Sequence, residues 1–356
     1  MNDLQAELTK QIKRLNQEFV SDFIEEDDKE GIFRQEIFSK YAELGLAGVI
    51  TSDQFSGSGL GYEDLCLALE EIAKTSVPYA VTISVSSMVQ SILSNYGTLK
   101  QKEKYLPKLA TGEEIGSFAL SESHSGSDAA SLKATAKKVD GGFILNGSKM
   151  WVTSGGIAKT YIVMARTGNE GAKGISAFIV RDGAEGFSYG KKEQKMGWKT
   201  SPTRELIFEN CFIPQENLLG KENEGFKIAL NSLSAGRITI GSISVGVAQA
   251  ALNTATSYSL SREQFSKAIF NFQGIQFMLA DMDTEIQASR LLVNQAAILL
   301  DQGKTCPKLS AMAKMKASDT AMKVTTDAVQ ILGGAGYTTE YPVCLLYTSP
   351  SPRDRG

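Results

Sequence analysis

Residues 118–128 read FALSESHSGSD, a stretch dominated by small and hydroxyl-bearing side chains. Small residues such as Gly126 let backbone N–H groups come close to a ligand, and serine hydroxyls can donate hydrogen bonds to it. A second stretch, MWVTSGG at 150–156, places an indole and a hydroxyl where a strand is expected to end. An indole can cover a planar cofactor. Taken alone, the first stretch also fits any polar loop and Trp151 also fits a core position, so both interpretations stay open.

Short apolar runs punctuated by glycine surround these two stretches, between residues 115 and 222. The clearest runs are Phe143-Ile144-Leu145, residues 175–180 and Leu206-Ile207-Phe208. Turn signals lie between the runs at spacings suited to antiparallel strands. These signals are Asn146-Gly147, Gly155-Gly156 and Asp182-Gly183. The pattern predicts a small β domain.

Helical periodicity dominates on both sides of this β segment. Before it, apolar residues recur at helical spacing at Leu4, Leu8, Ile12, Leu15 and Phe19. After it, one stripe of a long helix consists of Ile275, Met278, Leu279, Met282, Ile286 and Val293. We therefore predict an α+β protein with an N-terminal α-helical domain (1–113), a middle antiparallel β-barrel domain (114–223) and a C-terminal helical bundle (224–343).

Composition narrows the possible functions of the 356 residues. The formal net charge of -3 gives no overall attraction to nucleic acid or to an anionic membrane. With a single histidine, a zinc site or a Ser-His-Asp centre is poorly supplied, so we expect no metal site. We expect the protein's chemistry to depend on a cofactor. No apolar run reaches the roughly 18 residues of a membrane span.

The start of the chain and its cysteines indicate a compartment. The start lacks the basic and apolar regions of a secretory signal, and no Arg-rich transit peptide is present. Four dispersed cysteines, at positions 66, 211, 306 and 344, fit free thiols. We expect a cytoplasmic protein, and a mitochondrial matrix protein only if a transit peptide is missing.

A glycine cluster at 57–61 invites a different interpretation. Gly57-Ser58-Gly59-Leu60-Gly61 has the look of a dinucleotide-binding loop. It follows no clear strand, and it lacks the acidic residue expected about 20 positions later. We interpret it as a turn before a helix.

Together, the stretches at 118–128 and 150–156 resemble the acyl-CoA dehydrogenase family. That family has a Thr-Glu-x-x-x-Gly-Ser-Asp loop followed by a Trp-x-Thr strand end. The resemblance continues in family order as far as Val343. It runs through residues 195–199, 206–210, 225–226, Gly236-Arg237, 262–265 and 330–334. It implies the acyl-CoA dehydrogenase fold, bound FAD, and oxidation of an acyl-CoA thioester to its trans-2-enoyl product.

The resemblance also implies roles for individual residues. Trp151 and Thr153 would pack on and hydrogen-bond to the flavin ring, and Arg262 and Gln273 would bind the pyrophosphate and adenine portions. The full set implied to bind FAD is Phe118, Leu120, Ser121, Gly126, Ser127, Trp151, Val152, Thr153, Arg262, Gln264, Phe265, Gln273, Gln330, Gly333 and Gly334. The residues implied to bind acyl-CoA are Ser127, Ser234, Ala235, Gly236 and Arg237.

The resemblance implies partners as well. Residues 330–334 would reach FAD across a subunit boundary, which implies a homodimer or homotetramer. A helix C-cap explains Gly333-Gly334 without any ligand. Reduced flavin would pass its electrons to electron-transferring flavoprotein and not to a nicotinamide.

The loop departs from the family pattern at two places. Ser123-His124 stands where Pro-Gly is usual, and Ser121 replaces a threonine while keeping the hydroxyl. His124 could assist a phosphate or tune the flavin. The simpler interpretation is a solvent-facing substitution.

The catalytic base is the other departure. Some family members have Glu directly before the arginine matched by Arg237, but Gly236 occupies that position here. Others have it in a Tyr-Glu-Gly-Thr motif further along the chain than Val343. Residues 344–356 instead read CLLYTSPSPRDRG, which is polar and rich in proline and serine. We expect these residues to be a non-native tail and the 356-residue chain to lack its base. Glu340 is not a substitute.

The sequence also favours a substrate class and leaves two alternative functions open. The Gly-Arg pair resembles the butyryl-CoA group, which favours short- to medium-chain substrates. An acyl-CoA oxidase would share the fold and flavin but reduce oxygen, and such proteins are usually longer. A non-catalytic flavin or acyl-CoA binding protein is the third hypothesis.

Overall fold

The computed structural model describes residues 2–338 and 341. Six helices precede a β region and three come after it, which confirms the predicted three-part fold. The helices are α1 (Asp3–Leu15), α2 (Ile24–Glu30), α3 (Gln35–Glu43), α4 (Tyr62–Ala73), α5 (Val77–Tyr96), α6 (Leu99–Ala110), α7 (Gly225–Ser261), α8 (Gln273–Asp301) and α9 (Pro307–Leu332). Glu340, Val343 and the tail from Cys344 lie outside the described residues.

Eight strands of the middle region form one sheet, and a two-stranded hairpin comes after α7. The sheet strands are β1 (Gly116–Ala119), β2 (Thr135–Val139), β3 (Gly142–Thr153), β4 (Thr160–Arg166), β5 (Ile175–Arg181), β6 (Phe187–Lys192), β7 (Thr203–Pro214) and β8 (Leu218–Leu219). The hairpin strands are β9 (Glu263–Gln264) and β10 (Lys267–Ala268). Most neighbours are antiparallel as predicted, but β1 and β2 both pair with β4 in parallel.

One predicted turn was wrong. Asn146-Gly147 lies inside β3, where the pairing with β7 shifts register between Leu145 and Gly147. Gly147 has φ +127°, a backbone conformation that glycine adopts without steric cost. The pair is thus a β-bulge, which the same residue types favour. Gly155-Gly156 and Asp182-Gly183 do lie in turns between strands.

Helix α7 contributes to all three hydrophobic cores. Ile228 and Ala229 pack with α5, α6 and the β sheet. Ile243 and Val247 join the core that the N-terminal helices share with the sheet. Ile238 and its neighbours pack with α8 and α9. This helix therefore connects the three parts of the fold.

Close packing between α7 and α4 requires a glycine. A Cβ at Gly246 would overlap the carbonyl oxygen of Glu70 and lie 2.9 Å from the Cβ of Ala73. A second contact joins the N-terminal and C-terminal helices, since the Asp301 carboxylate accepts the N–H groups of Tyr62 at 2.6 Å and Glu63 at 3.0 Å. A carboxylate at a helix N-terminus satisfies orphan donors and favours the helix dipole.

Two buried features bear on the composition-based predictions. By length and composition alone α5 and α7 could each cross a membrane, which counting uninterrupted apolar runs did not reveal. In the structure 72% and 67% of their apolar windows are buried, as in core helices of a folded protein. Cys66, Cys211 and Cys306 are buried free thiols, which confirms that prediction for the three cysteines in the described part of the chain.

The α4–α7 contact gives a stability prediction. Replacing glycine with alanine inside a helix normally stabilises it by about 0.5–1 kcal/mol. At Gly246 the new methyl group would instead push α4 and α7 apart, and overpacking of this kind costs about 1–3 kcal/mol. We expect Gly246→Ala to lower the midpoint of thermal unfolding.

The matched control lies in the same helix. A Cβ at Gly236 meets only the Met88 sulfur, at an ordinary 3.6 Å. Gly236→Ala should therefore keep or raise the midpoint. Equal midpoints for the two variants, measured by circular dichroism, would contradict the proposed close contact.

Candidate active site

The 118–128 loop leaves the sheet at the end of β1 and turns back on itself. Glu122 and Ser125 exchange two backbone hydrogen bonds, of 2.9 and 3.1 Å, which close the turn. The Met150 N–H donates to the Ser121 carbonyl at 2.8 Å. The loop is thereby held against β3 next to Trp151, so the structure brings the two stretches that were singled out in the sequence together.

Trp151 occupies a bulge in β3. Pairing with β7 shifts register between Lys149 and Val152, and Trp151 has φ +56°. A bulky residue rarely adopts the left-handed region, and such outliers cluster at functional sites because the surrounding structure must hold them. The bulge leaves the indole 48% exposed while Val152 is buried in the core. The core interpretation of Trp151 is thus wrong, and an apolar plane faces outward.

Thr153 ends β3 beside β1. Its carbonyl accepts a hydrogen bond from the Ser117 hydroxyl at 2.6 Å, and it pairs with Thr203 across the ladder to β7. Phe118, Leu120 and Ser121 are half-buried at the same edge, and Ser127 is exposed. The β-domain residues predicted to bind a flavin therefore lie on neighbouring segments.

A buried ion pair beneath the loop was not assigned from the sequence. Lys149 Nζ lies 2.6 Å from Glu122 Oε1. Burial lowers the pKa of Lys149 to about 8, although Glu122 opposes this shift. Burial would raise the pKa of Glu122, but the Lys149 ammonium and two backbone N–H groups hold it below its ordinary value. Glu122 belongs to the 118–128 motif, and this motif was the sequence signal that could have pointed to the ion pair.

His124 is exposed, as the simpler interpretation predicted. Its side chain is 40% exposed, and Nε2 lies 3.4 Å from Glu122 Oε2. The imidazole therefore sits over the rim of the buried pair. A role toward a phosphate or a flavin remains a prediction.

Four of the five predicted acyl-CoA residues lie on α7, and the fifth, Ser127, lies in the 118–128 loop. Ser234, Ala235 and Gly236 are half-buried and Arg237 is exposed. Gly236 faces the Met88 sulfur of α5, and one turn along, Thr239 shares a buried 2.8 Å hydrogen bond with Ser84 of α5. Sequence patterns did not single out Met88 or Ser84, because only the packing of α5 on α7 places them here.

The remaining predicted residues form a separate group at the end of the C-terminal helices. Arg262, Gln264 and Phe265 are exposed around the β9–β10 hairpin, with Phe265 at 89%, and Gln273 opens α8. At the end of α9, Gln330 is exposed, and Gly333 caps the helix with φ +59° and its N–H directed at the Gln330 carbonyl.

The cap does not fill the space around these glycines. A Cβ built on Gly333 or Gly334 meets nothing within 4 Å. The C-cap interpretation thus describes the local structure, and the open space leaves room for a ligand. Tyr341 packs edge-on against Tyr258 at 5.4 Å between ring centres, so this residue lies near the end of α7.

A cavity of about 280 Å³ lies elsewhere, where α2, the start of α5 and the C-terminal part of α7 meet. Trp198, Thr200 and Asn253 are among its lining residues. None of the residues predicted to bind FAD or acyl-CoA lines it. Trp198 also has a left-handed backbone, with φ +54°, so backbone conformation alone does not distinguish the two tryptophans; Trp151 is set apart by its place beside the 118–128 loop.

Comparison with known families covers nearly the whole chain. The acyl-CoA dehydrogenase N-terminal domain matches residues 2–113, the middle domain matches 117–211 and the C-terminal domain matches 223–349. The mitochondrial isobutyryl-CoA dehydrogenase of Dictyostelium discoideum is 44% identical over 329 residues, which cover 92% of this chain and 79% of that protein. The short-chain specific acyl-CoA dehydrogenase of Megasphaera elsdenii is 43% identical over 349 residues, covering 96% and 91%.

Solved structures agree in fold as well as sequence. Butyryl-CoA dehydrogenase from Megasphaera elsdenii superposes with a TM-score of 0.96 at 42% identity, over 98% of this chain and 92% of that one. A chain in the structure described as the electron transferring flavoprotein of Acidaminococcus fermentans gives 0.96 at 43% identity, with the same coverage. An FAD complex of PigA gives 0.93 at 30% identity, again over 98% and 92%. With its fold, its loop and its relatives in agreement, the chain belongs to the acyl-CoA dehydrogenase family of oxidoreductases.

Proposed function

We propose that this protein binds FAD and has the architecture for oxidising short- to medium-chain acyl-CoA thioesters to trans-2-enoyl-CoA with electron-transferring flavoprotein as acceptor, and that none of the 356 residues serves as the catalytic base of that reaction. The observation that carries the proposal is the outward-facing indole of Trp151, held in a left-handed bulge beside the 118–128 loop. Bulky residues in the left-handed region cluster at functional sites, and this one adjoins the loop that carries the family motif. The fold and the relatives supply the reaction class.

The described residues fit FAD on both halves of the site. In the β domain, Trp151 offers an apolar plane and Ser121 a hydroxyl next to the hydrogen-bonded loop. In the C-terminal helices, Arg262 offers a cation for a pyrophosphate, and Gly333-Gly334 leave space for close approach. FAD, when bound, supplies the acceptor for the substrate's β-hydrogen as a hydride. The bound FAD of PigA supports the same cofactor here.

The chain's own residues bind and orient the substrate. Residues 234–237 of α7 present half-buried backbone and the Arg237 cation to the thioester's CoA portion. Apolar packing of α5 on α7 excludes water, which strengthens any hydrogen bond to the thioester carbonyl and acidifies the α-carbon. The substrate class rests on Gly236 and on the named short-chain and isobutyryl-CoA relatives.

Assembly and partners are inferred from the exposed surface. Phe277 and Leu291 of α8 and Met315 of α9 are large apolar side chains that are 60%, 69% and 54% exposed. We propose that they are covered in a homodimer or homotetramer, in which residues 330–334 reach the FAD of another subunit. The flavoprotein structure from Acidaminococcus fermentans supports the electron acceptor. Free buried thiols support a cytoplasmic location.

The first functional prediction concerns the cofactor. Covering an aromatic face contributes about 1.5–3 kcal/mol, and each 1.4 kcal/mol is about tenfold in affinity. We expect the purified chain to bind FAD and Trp151→Ala to weaken binding at least about tenfold, as measured by fluorescence titration.

The other tryptophan provides the control. Trp198 lines the separate cavity, so Trp198→Ala should leave FAD affinity unchanged even if it lowers stability. A wild-type chain that stays colourless with excess FAD, or one that takes FMN instead, would refute the proposed cofactor.

The second functional prediction concerns the catalytic base. Gly236 supplies no carboxylate, and the 356 residues contain no Tyr-Glu-Gly-Thr motif. A positioned general base contributes about 10²–10⁴-fold. We expect the 356-residue chain to show little butyryl-CoA oxidation with a dye acceptor. Gly236→Glu should raise the rate at least about tenfold, because it supplies the missing carboxylate and its Cβ would meet only the Met88 sulfur, at an ordinary 3.6 Å.

The matched control is Gly236→Gln, which has the same volume without the carboxylate and should give no increase. The proposal about the base is wrong if the wild-type chain already turns over at ordinary enzymatic rates of about 1–10³ s⁻¹. Efficient NAD reduction in the same assay would refute the proposed electron acceptor.

A further inference from the structure

Glu122 and Lys149 form an ion pair beneath the 118–128 loop that the proposed reaction does not use. Their side chains are 4% and 0% exposed. Removing two charges from water is costly, and an apolar pair of similar volume often stabilises a protein equally well. Burial of this pair is therefore weak evidence for a role in stability. Its hydrogen bonds indicate a different role.

Each remaining hydrogen bond of the pair goes to the backbone. Lys149 Nζ donates to the Leu120 carbonyl at 3.1 Å. The Ala134 N–H donates to Glu122 Oε1 at 3.0 Å, and the Lys133 N–H donates to Oε2 at 2.6 Å. The pair thus fixes the relative positions of three segments: the loop, β3 and the approach to β2. Charge-assisted hydrogen bonds of this kind are stronger than neutral ones.

The segments that the pair joins are the two β-domain walls of the proposed flavin site. Leu120 and Ser121 belong to one wall, and Trp151 stands two residues after Lys149 in the other. The Met150 N–H to Ser121 carbonyl bond, at 2.8 Å, adds one more link between them. Because the Trp151 backbone is in a left-handed bulge, its orientation depends on how firmly Lys149 is held.

We propose that Glu122 and Lys149 are positioning residues of the flavin site. They act through Leu120, Ser121 and Trp151, and they set the spacing between the loop and the indole. This inference rests on the FAD-dependent function proposed above. On this proposal the buried pair affects the affinity for FAD and the environment of the bound flavin, and these effects are distinct from any effect on the stability of the fold.

The test compares FAD binding and folding in the purified 356-residue protein. Glu122→Gln and Lys149→Met should each raise the FAD dissociation constant about 10- to 100-fold, since a hydrogen bond to a charged group changes an equilibrium constant by about that factor. At saturating FAD, the visible circular dichroism of the bound flavin should also change. A role in stability alone would not alter that spectrum.

A double variant separates the loss of the positioning hydrogen bonds from the cost of leaving one buried charge unpaired. Glu122→Gln with Lys149→Met leaves no unpaired buried charge, so the unfolding midpoint should recover toward that of the wild type. FAD affinity should stay weak, because the Leu120 carbonyl still lacks its donor. Recovery of wild-type affinity in the double variant would overturn the proposal.

A second ion pair in the same domain is the control. Arg181 lies 2.5 Å from Glu114, away from the loop. Glu114→Gln should lower the unfolding midpoint while the FAD dissociation constant changes less than about twofold. If Lys149→Met does not fold, Glu122→Gln decides the outcome alone. We expect this variant to fold, because the glutamine amide oxygen can still accept two of the hydrogen bonds that Glu122 accepts.

The failure of the inference can be told apart from failure of the proposed function. A wild-type chain that binds no FAD overturns both. Folded Glu122→Gln and Lys149→Met variants with wild-type affinity and flavin spectrum overturn the positioning role alone.

Discussion

Burial of α7 is the constraint on which the rest of the structure depends. This 37-residue helix packs into three separate hydrophobic cores, which bring together the N-terminal helices, the sheet and the C-terminal helices. Its approach to α4 is possible because Gly246 lacks a side chain. A shift of α7 would therefore move the packing of α5 and, with it, the surroundings of Gly236.

The site of the β domain depends on polar interactions instead. An exposed Trp151 in a left-handed bulge gains little from the core, so the loop and the strand must be held by other means. The buried Glu122–Lys149 pair and the Met150–Ser121 backbone bond supply them. The scaffold thus rests on apolar packing, while local geometry at the site rests on a few hydrogen-bonded polar groups.

Much of the fold could be predicted from the chain alone. The stripe from Met282 to Val293 and the runs in β3 and β7 have helical and strand periods that reflect one-sided burial, whereas the continuous apolar run of β5 reflects burial on both faces. The loop motif and Trp-x-Thr strand end identified the family because they are local in sequence. Asn146-Gly147 was mistaken for a turn because its residue types favour both turns and bulges, and only pairing with β7 distinguishes them.

The order of helices and strands, the family and the identity of the local motifs were determined by the sequence itself, because these depend on residue type and spacing. Tertiary structure alone decided which distant groups meet. Lys149 and Glu122 are 27 residues apart, and Met88 approaches Gly236 from another helix. No period or motif encodes such contacts, since they arise where independently formed elements pack and bury each other's polar groups.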